Sequence, residues 1–318
     1  MNLYVIRELT KRYGARGVLA NDAISLDIRQ GEILGVFGPN GAGKTTFVRQ
    51  ITALLRPTSG RVELLGQDVV RRPAVVPQHV GFFGQRAPIL RNYSVAEVLV
   101  YAGVLRGLPV PKAHQQSQAL LERFDLLPIA KRRLAQLSGG QVRLPTLLSA
   151  FMGKLRGVVL DEPTNELDPA NRQRLWQFLE ELRNQGVTVV LTSHNLAEAE
   201  RYVERVAFIN HGRLVALGTP GELKRTVSER VRLEVRVKEP YLLQAEAWLR
   251  TLPDCRNPRP GFFELTARPE EAQALLGRVL EEVGMEALDD FRLVTPSMDD
   301  VYVLLTAQKT GGVSEVGV

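Results

Sequence analysis

The sequence has almost no cysteine and no long apolar run. Cys255 is the single cysteine among 318 residues, which excludes an intrachain disulfide and favours a reducing compartment. No apolar stretch approaches the ~20 residues that a membrane-spanning helix needs. The N-terminus also lacks the cationic and apolar segments of a secretory signal. We therefore expect a cytoplasmic protein that could meet a membrane only from its cytoplasmic face.

The chain also lacks the patterns that bind nucleic acid specifically. Its formal net charge is +6, yet the basic residues are scattered and form only small clusters, such as the one at 131–133. No recognition helix, RNA-binding aromatic strand or zinc pattern accompanies them. We expect no specific nucleic-acid partner. The charge indicates a solvated surface, with attraction to anionic lipid as the alternative.

A phosphate-binding loop is present at residues 38–45. The segment has the pattern G-x-x-x-x-G-K-[ST], follows the apolar run 33–37 and precedes a predicted helix. Backbone N–H groups of such a loop surround a phosphate, while Lys44 reaches the β- and γ-phosphates and the Thr45 hydroxyl faces Mg²⁺. The predicted loop residues are Gly38, Pro39, Asn40, Gly41, Ala42, Gly43, Lys44, Thr45 and Thr46. The sequence thus predicts a protein that binds a nucleoside triphosphate.

Two adjacent carboxylates end a second apolar run. The run 158–160 predicts a strand buried on both faces of a parallel sheet, and Asp161 and Glu162 follow it directly. Ligands of open α/β sheets bind at the carboxyl ends of the strands. We expect Asp161 to hold Mg²⁺ through water and Glu162 to polarise an attacking water molecule.

Two further segments have settings suited to phosphate chemistry. Ser138 is a predicted helix cap, and Gly139 and Gly140 after it would let a phosphate approach the free N–H groups. His194 follows the β-branched run 187–191, so it too is predicted to lie at the carboxyl end of a strand.

The segment Leu-Ser-Gly-Gly-Gln at 137–141, with the loop and the paired carboxylates, resembles the signature of the ATP-binding-cassette ATPases. The resemblance covers about residues 1–225. It implies that Ser138, Gly139, Gly140 and Gln141 contact ATP held by a second subunit. It further implies the roles of five other residues: adenine stacking for Tyr13, γ-phosphate and metal contact for Gln85, a loop between protomers for Asn165 and Asp168, and a catalytic switch for His194.

The assignment of Gln85 has a competitor, because Gln78 also follows an apolar stretch. The family pattern places about nine residues between this glutamine and a Ser/Thr-Val-x-Glu helix start. Gln85 satisfies that spacing, and Ser94 with Glu97 forms a predicted capping box. We therefore choose Gln85.

The helix after the signature departs from the family pattern. An arginine is usual three residues beyond the signature glutamine, whereas this chain has Leu144 there and Arg143 one residue earlier. Pro145 follows and removes an intrahelical hydrogen bond, so we expect it to kink or delay the helix. Arg143 is a candidate substitute for the displaced arginine. From these departures we expect slow or partner-dependent hydrolysis.

The resemblance implies an α/β P-loop cassette over residues 1–225, with a mixed core sheet, an antiparallel β subdomain and a helical subdomain at about 86–150. Residues 226–310 predict a small α+β domain: polar and apolar residues alternate at 231–238 as in a half-exposed strand, and a loop is expected at 253–261. This domain is similar to the C-terminal extension of ATPase subunits of drug and antibiotic exporters. Residues 311–318 are expected to be a disordered tail.

The function implied is the Mg²⁺-dependent ATPase subunit of an exporter. Such a subunit works as a homodimer that sandwiches two ATP molecules beneath separate membrane permease subunits, with Lys44, Glu162 and His194 as catalytic residues and Thr45, Gln85 and Asp161 at the metal. The alternatives are an importer ATPase and a soluble cassette ATPase that does not act in transport.

Overall fold

The computed structural model describes residues 1–14, 17–84, 90–227 and 230–307. Gln85 and the predicted tail 311–318 lie outside the described residues. The chain divides into two compact units, Met1–Thr219 and Pro220–Val318, whereas the sequence analysis placed the boundary near 225. No helix in the described ranges combines the length and apolarity that crossing a bilayer requires.

The described residues of the first unit form ten strands and seven α-helices. The strands are β1 (Asn2–Arg12), β2 (Leu19–Arg29), β3 (Ile33–Phe37), β4 (Ser59–Leu64), β5 (Gln67–Asp68), β6 (Val80–Phe83), β7 (Gly157–Asp161), β8 (Thr188–Thr192), β9 (Arg205–Asn210) and β10 (Arg213–Gly218). The helices are α1 (Lys44–Ile51), α2 (Val75–His79), α3 (Val95–Leu105), α4 (Val110–Arg123), α5 (Gly139–Ser149), α6 (Pro169–Asn184) and α7 (Leu196–Ala199).

A six-stranded sheet in the order β10-β9-β3-β8-β7-β6 forms the centre of this unit. Only β10 pairs antiparallel; β9, β3, β8, β7 and β6 are parallel. Every residue of β3, β7 and β8 is buried, which explains their continuous apolar runs. Since parallel strands end at one edge, the segments that follow β3, β7 and β8 begin at the same edge.

A second, antiparallel sheet has the order β2-β1-β4-β5. Its inner face and α1 pack against the six-stranded sheet in one apolar cluster, which includes Ile6, Phe47, Ile51, Val159 and Val190. Burial of these side chains holds α1, and therefore the loop before it, against both sheets.

Helices α3, α4 and α5 form the helix-rich segment between β6 and β7. Helix α3 begins with the predicted capping box: the Glu97 amide donates to Ser94 Oγ (3.3 Å), and the Ser94 amide donates to Glu97 Oε2 (2.7 Å). The hydrogen bonds that the Ser94 amide and hydroxyl donate to the Glu97 carboxylate lower the pKa of Glu97 below its ordinary value.

Helix α5 corrects one expectation about Pro145. The helix is not delayed, because it begins at Gly139, directly after Ser138, and continues through Pro145 to Ser149. The missing N–H of Pro145 removes only the bond to the carbonyl of Gln141. Burial of Pro145 together with its apolar neighbours on the same helix stabilises the segment in compensation.

The second unit is an antiparallel sheet with helices. Its elements are α8 (Pro220–Val227), β11 (Val231–Val237), α9 (Leu242–Leu249), β12 (Cys255–Arg259), β13 (Phe262–Ala267), α10 (Pro269–Glu282), β14 (Leu288–Val294) and α11 (Met298–Ala307). The sheet order is β12-β13-β11-β14, and its core includes Leu233, Val235, Leu249, Phe263 and Val279.

Strand β12 lies inside the segment 253–261, for which the sequence predicted only a loop. Pro258 obscured the strand, since proline cannot donate to a sheet ladder. The position is tolerated because β12 is the edge of its sheet and pairs with β13 alone.

Helix α6 provides the first test. Asp168 caps it: Oδ1 accepts from the Asn171 amide (3.0 Å) and Oδ2 from the Asn171 side chain (2.6 Å). Asp168→Ala should lower the free energy of unfolding by ~1 kcal/mol, and Asp168→Asn, which keeps the cap, by less than ~0.5 kcal/mol. Urea denaturation of both variants measures this, and equal losses would contradict the capping role.

The same cap should depend on pH. Hydrogen bonds from Asn171 lower the pKa of Asp168 below its ordinary value. Its folded-state pKa is therefore below the unfolded-state value. The stabilisation by the Asp168 cap is complete above pH ~4 and declines as the pH falls through the folded-state pKa. The difference between wild type and Asp168→Ala should accordingly shrink in acid. If the difference in the free energy of unfolding does not change with pH, Asp168→Ala destabilises the protein through lost packing alone.

Candidate functional site

Glycines of the loop after β3 have positive φ values. Gly38 and Gly43 have φ values of +147° and +105°. A Cβ at Gly38 would lie 2.0 Å from the carbonyl oxygen of Ile209, and one at Gly43 would lie 2.2 Å from that of Ala20. A backbone carbonyl cannot move aside as the end of a flexible side chain can, so positions 38 and 43 both require glycine.

Lys44 is the first residue of α1 and is buried inside this loop. Its Nζ donates to the carbonyl oxygens of Gly38 (2.6 Å) and Pro39 (3.0 Å). Burial lowers the pKa of Lys44, an effect that the carboxylates of Glu162 and Asp161 oppose. The loop therefore holds the buried ammonium group of Lys44, which the carboxylates of Glu162 and Asp161 attract.

The remaining loop residues differ in exposure. Ala42 is buried, and its carbonyl accepts from the Gly212 amide (2.9 Å), which ties the loop to the turn between β9 and β10. Asn40 and Gly41 are exposed, and a Cβ at Gly41 would meet nothing within 4 Å. Pro39, Thr45 and Thr46 are half-buried. The outer rim of the loop is thus open to a ligand.

The paired carboxylates lie at the carboxyl end of β7, as predicted. Asp161 is 2% exposed and pairs with Thr192 of the neighbouring strand β8. The Thr192 hydroxyl donates to Asp161 Oδ1 (2.7 Å) and accepts from the Glu162 amide (2.9 Å). One buried hydroxyl therefore fixes both acidic residues.

Sequence reasoning missed Thr192. The signal was available, since a threonine ends the same strand that carries His194 two residues later. Its role could not be inferred without the pairing of β7 with β8, which brings Asp161 and Thr192 opposite each other.

Glu162 and His194 are brought into direct contact. His194 Nδ1 lies 2.9 Å from Glu162 Oε2, and the imidazole is 62% exposed whereas the carboxylate is buried. Glu162 has a φ of +53°, a left-handed conformation that is uncommon for residues other than glycine. The carboxylate is thus held at the boundary between the buried sheet edge and solvent.

Tyr13 lies close to the start of α1. Its hydroxyl is 3.5 Å from Thr46 Oγ1, the residue is 45% exposed, and Lys11 Nζ lies 5.5 Å from the ring centroid. An exposed aromatic face beside the loop has the form that base stacking requires. Adenine stacking by Tyr13 stays a prediction.

The signature segment opens α5. The Gln141 amide donates to Ser138 Oγ (3.4 Å), and the Ser138 amide donates to Gln141 Oε1 (3.2 Å), a reciprocal cap of the first turn. Residues 138–141 are exposed, and a Cβ at Gly139 or Gly140 would meet nothing within 4 Å. The positive end of this helix is therefore open.

The loop predicted to lie between protomers runs from β7 to α6. Asn165 is half-buried and Asp168 is exposed as the cap of α6. Gln85, predicted to contact the γ-phosphate and metal, lies outside the described residues.

Comparison with known proteins agrees with this geometry. The profile of a family described as ABC transporter matches residues 21–165. The chain is 36% identical to the daunorubicin resistance ATP-binding protein DrrA3 of Streptomyces coeruleorubidus over 93% of each chain. It is 33% identical to the doxorubicin resistance ATP-binding protein DrrA of Mycobacterium tuberculosis over 96% of this chain and 94% of that protein.

Among solved structures, an ATP-binding subunit of an ABC transporter superposes with a TM-score of 0.67 at 25% identity, over 70% of this chain and 92% of that one. The predicted fold class is confirmed by this neighbour.

Thr192 provides a test with a matched control on the same strand. Thr188 is equally buried, accepts from the Gly31 amide (2.9 Å) and donates to the Arg29 carbonyl (3.3 Å). Thr188→Val and Thr192→Val should each cost ~1–3 kcal/mol of stability, because each leaves buried polar groups unpaired. Only Thr192→Val should also slow ATP hydrolysis, by ~10-fold or more, because it releases Asp161 and Glu162.

Thermal unfolding and steady-state hydrolysis of the two variants separate these effects. Equal catalytic losses in both would refute the bridging role of Thr192.

Proposed function

The chain belongs to the family of ABC transporter ATP-binding subunits, which are ATPases, and from this premise we propose that it energises an exporter as an ATP-bound homodimer. The observation that carries the catalytic part is the contact between Glu162 and His194 beside Lys44. The exporter part is supported by relatives named for daunorubicin and doxorubicin resistance.

Glu162 acts on water in this proposal. Its backbone is fixed through Thr192, and its carboxylate accepts from His194, so it is oriented to take a proton from a water molecule that attacks the terminal phosphorus. His194, on the solvent side of the carboxylate, would contact the same terminal phosphate. Preorganised groups of this kind lower the barrier because they need no rearrangement at the moment of reaction.

Lys44 exchanges partners when nucleotide binds. Its ammonium group is held by two neutral carbonyl oxygens, and the anionic β- and γ-phosphate oxygens are stronger acceptors. Contact with phosphate thereby compensates the Lys44 ammonium group for the hydration that it loses on burial. The amides of residues 38–46 and the ring of Tyr13 complete the nucleotide site.

The metal site fits Mg²⁺ in its donor chemistry. Thr45 offers a hydroxyl and Asp161 a carboxylate already oriented by Thr192, and oxygen donors are what Mg²⁺ prefers. Bound Mg²⁺ would neutralise charge on the phosphates, with Gln85 as the third contact. Thr45 would hold the ion directly and Asp161 would hold it through water, and neither would transfer a proton.

The dimer would complete the site in trans. The first turn of α5 is capped, exposed and open at Gly139 and Gly140, so its N–H groups can approach an anion on another molecule. Asn165 and Asp168 lie on the loop that would cross between the subunits. Closure would then depend on ATP, and hydrolysis would reset it.

The two parts of the chain have different roles in this proposal. The first unit would be the nucleotide-binding cassette, whose helical subdomain at about 86–150 meets the membrane permease, and the second unit would be an accessory domain. The resistance proteins match over 93% or more of this chain, so the similarity includes the accessory domain. That coverage favours an exporter over an importer or a non-transport ATPase, and a location on the cytoplasmic face of the membrane.

Glu162→Gln tests the dimer. The amide cannot accept a proton from water, so ATP should persist and the protein should elute as a dimer in saturating Mg-ATP. Lys44→Ala in the same background should remain monomeric, because it removes the phosphate contact. Size-exclusion chromatography with light scattering measures both, and a monomeric Glu162→Gln protein with bound ATP would refute ATP-driven dimerisation.

The permease is tested by purification of the full chain from its native membranes in mild detergent. A multi-spanning membrane protein should accompany it in stoichiometric amount, and its presence should accelerate ATP hydrolysis. Recovery of ribosomes or a soluble scaffold instead would leave the ATPase intact and overturn the transport function.

A further inference from the structure

Arg143 joins the signature helix to the catalytic carboxylate residue. Its Nη2 donates to the backbone carbonyl oxygen of Glu162 across 2.5 Å, so α5 is tied directly to the end of β7. The donor is charged, which makes such a bond stronger than one between neutral groups. No sequence pattern assigns this contact to Arg143.

The shift of the arginine by one position explains the contact. Adjacent helical residues point ~100° apart around the axis. Leu144, at the position where the family resemblance led us to expect arginine, is 5% exposed and packs into the interior of the unit. Arg143 instead faces the strand ends, where its charge remains partly solvated.

Arg143 also contacts the neighbouring strand. Its guanidinium group lies 5.2 Å from the ring centroid of Phe83, a cation–π contact. Phe83 is the last residue of β6 and pairs with Leu160 of β7. One side chain of α5 therefore touches the carboxyl ends of two adjacent strands, including the strand that leads towards Gln85.

Glu162 needs such support. A left-handed φ at a residue other than glycine persists only where the surroundings hold it. The described contacts are three: the amide donates to Thr192, the carboxylate contacts His194, and the carbonyl accepts from Arg143. Thr192 ends β8 and His194 follows that strand two residues later, whereas Arg143 comes from the helical segment.

We propose that Arg143 is a positioning residue that fixes the backbone of Glu162 and makes hydrolysis depend on the position of α5. The same helix begins at Ser138, whose turn would contact ATP on the second subunit, so dimer closure would set the direction of the Glu162 carboxylate. This inference rests on the proposed role of Glu162 as the group that polarises water.

The test compares Arg143→Met and Arg143→Lys in the full chain. Single-turnover hydrolysis of radiolabelled Mg-ATP and the affinity for a fluorescent ATP analogue are measured. Arg143→Met should slow hydrolysis by ~10–100-fold while nucleotide affinity changes by less than ~3-fold, because the binding loop is untouched. Arg143→Lys keeps a cationic donor and should restore part of the rate.

Arg106→Met is the matched control for a purely structural loss. Arg106 lies in the same helical segment and donates to two backbone carbonyl oxygens, those of Ser149 (2.7 Å) and Met152 (3.0 Å), away from Glu162. Its replacement should lower the melting temperature without slowing hydrolysis per folded molecule. A rate loss in Arg143→Met no larger than that in Arg106→Met would overturn the inference.

A double variant shows whether Arg143 acts through Glu162. In the Glu162→Gln background, Arg143→Met should cause little further loss of rate, since residues that act as a unit are not additive. Independent, multiplicative losses would also overturn the inference. If wild type and Glu162→Gln hydrolyse ATP equally, the proposed catalytic function fails and the inference fails with it. If Glu162→Gln is inactive but Arg143→Met matches wild type, only the inference fails.

Discussion

The parallel pairing of β3, β8 and β7 is the constraint on which the site depends. It brings the carboxyl ends of these strands to one edge, where the phosphate loop, Glu162 and His194 follow them. The pairing is strongly specified, because all residues of the three strands are buried and a slip in register would expose apolar side chains. Chemistry at this edge is therefore positioned by hydrophobic burial deep in the sheet.

The edge concentrates groups that are costly to bury alone. Lys44 and Asp161 are buried, and Glu162 adopts a strained φ. Each is stabilised by partners from other segments: loop carbonyls hold the ammonium group, and Thr192 serves both acidic residues. These neutral partners leave the charges available to the phosphates of ATP, and to Mg²⁺ in the proposed mechanism, so that a stable fold can carry a reactive site.

The helical segment contacts this site directly. The signature turn of α5 is exposed, while Arg143 on the next turn reaches the Glu162 carbonyl. A displacement of α5 would therefore act directly on the backbone of Glu162. This arrangement is suited to an ATPase whose hydrolysis waits for a second subunit or a membrane partner.

The sequence by itself determined the local parts of the protein. The loop 38–45, the acidic pair 161–162 and the cap at Ser138 are specified by neighbouring residues, because glycine, helix caps and buried runs act over a few positions. The general alternation of strands and helices could be predicted for the same reason, and Ser94 with Glu97 marked the start of α3 correctly.

Only the tertiary structure decided which distant residues meet. The Thr192–Asp161 bond spans 31 residues and depends on the pairing of β7 with β8. The Arg143–Glu162 contact depends on how α5 packs. Strand β12 forms despite Pro258 because it is an edge strand and pairs with β13 on one side. Strand order and helix packing arise from the burial of many side chains at once, which no local pattern encodes.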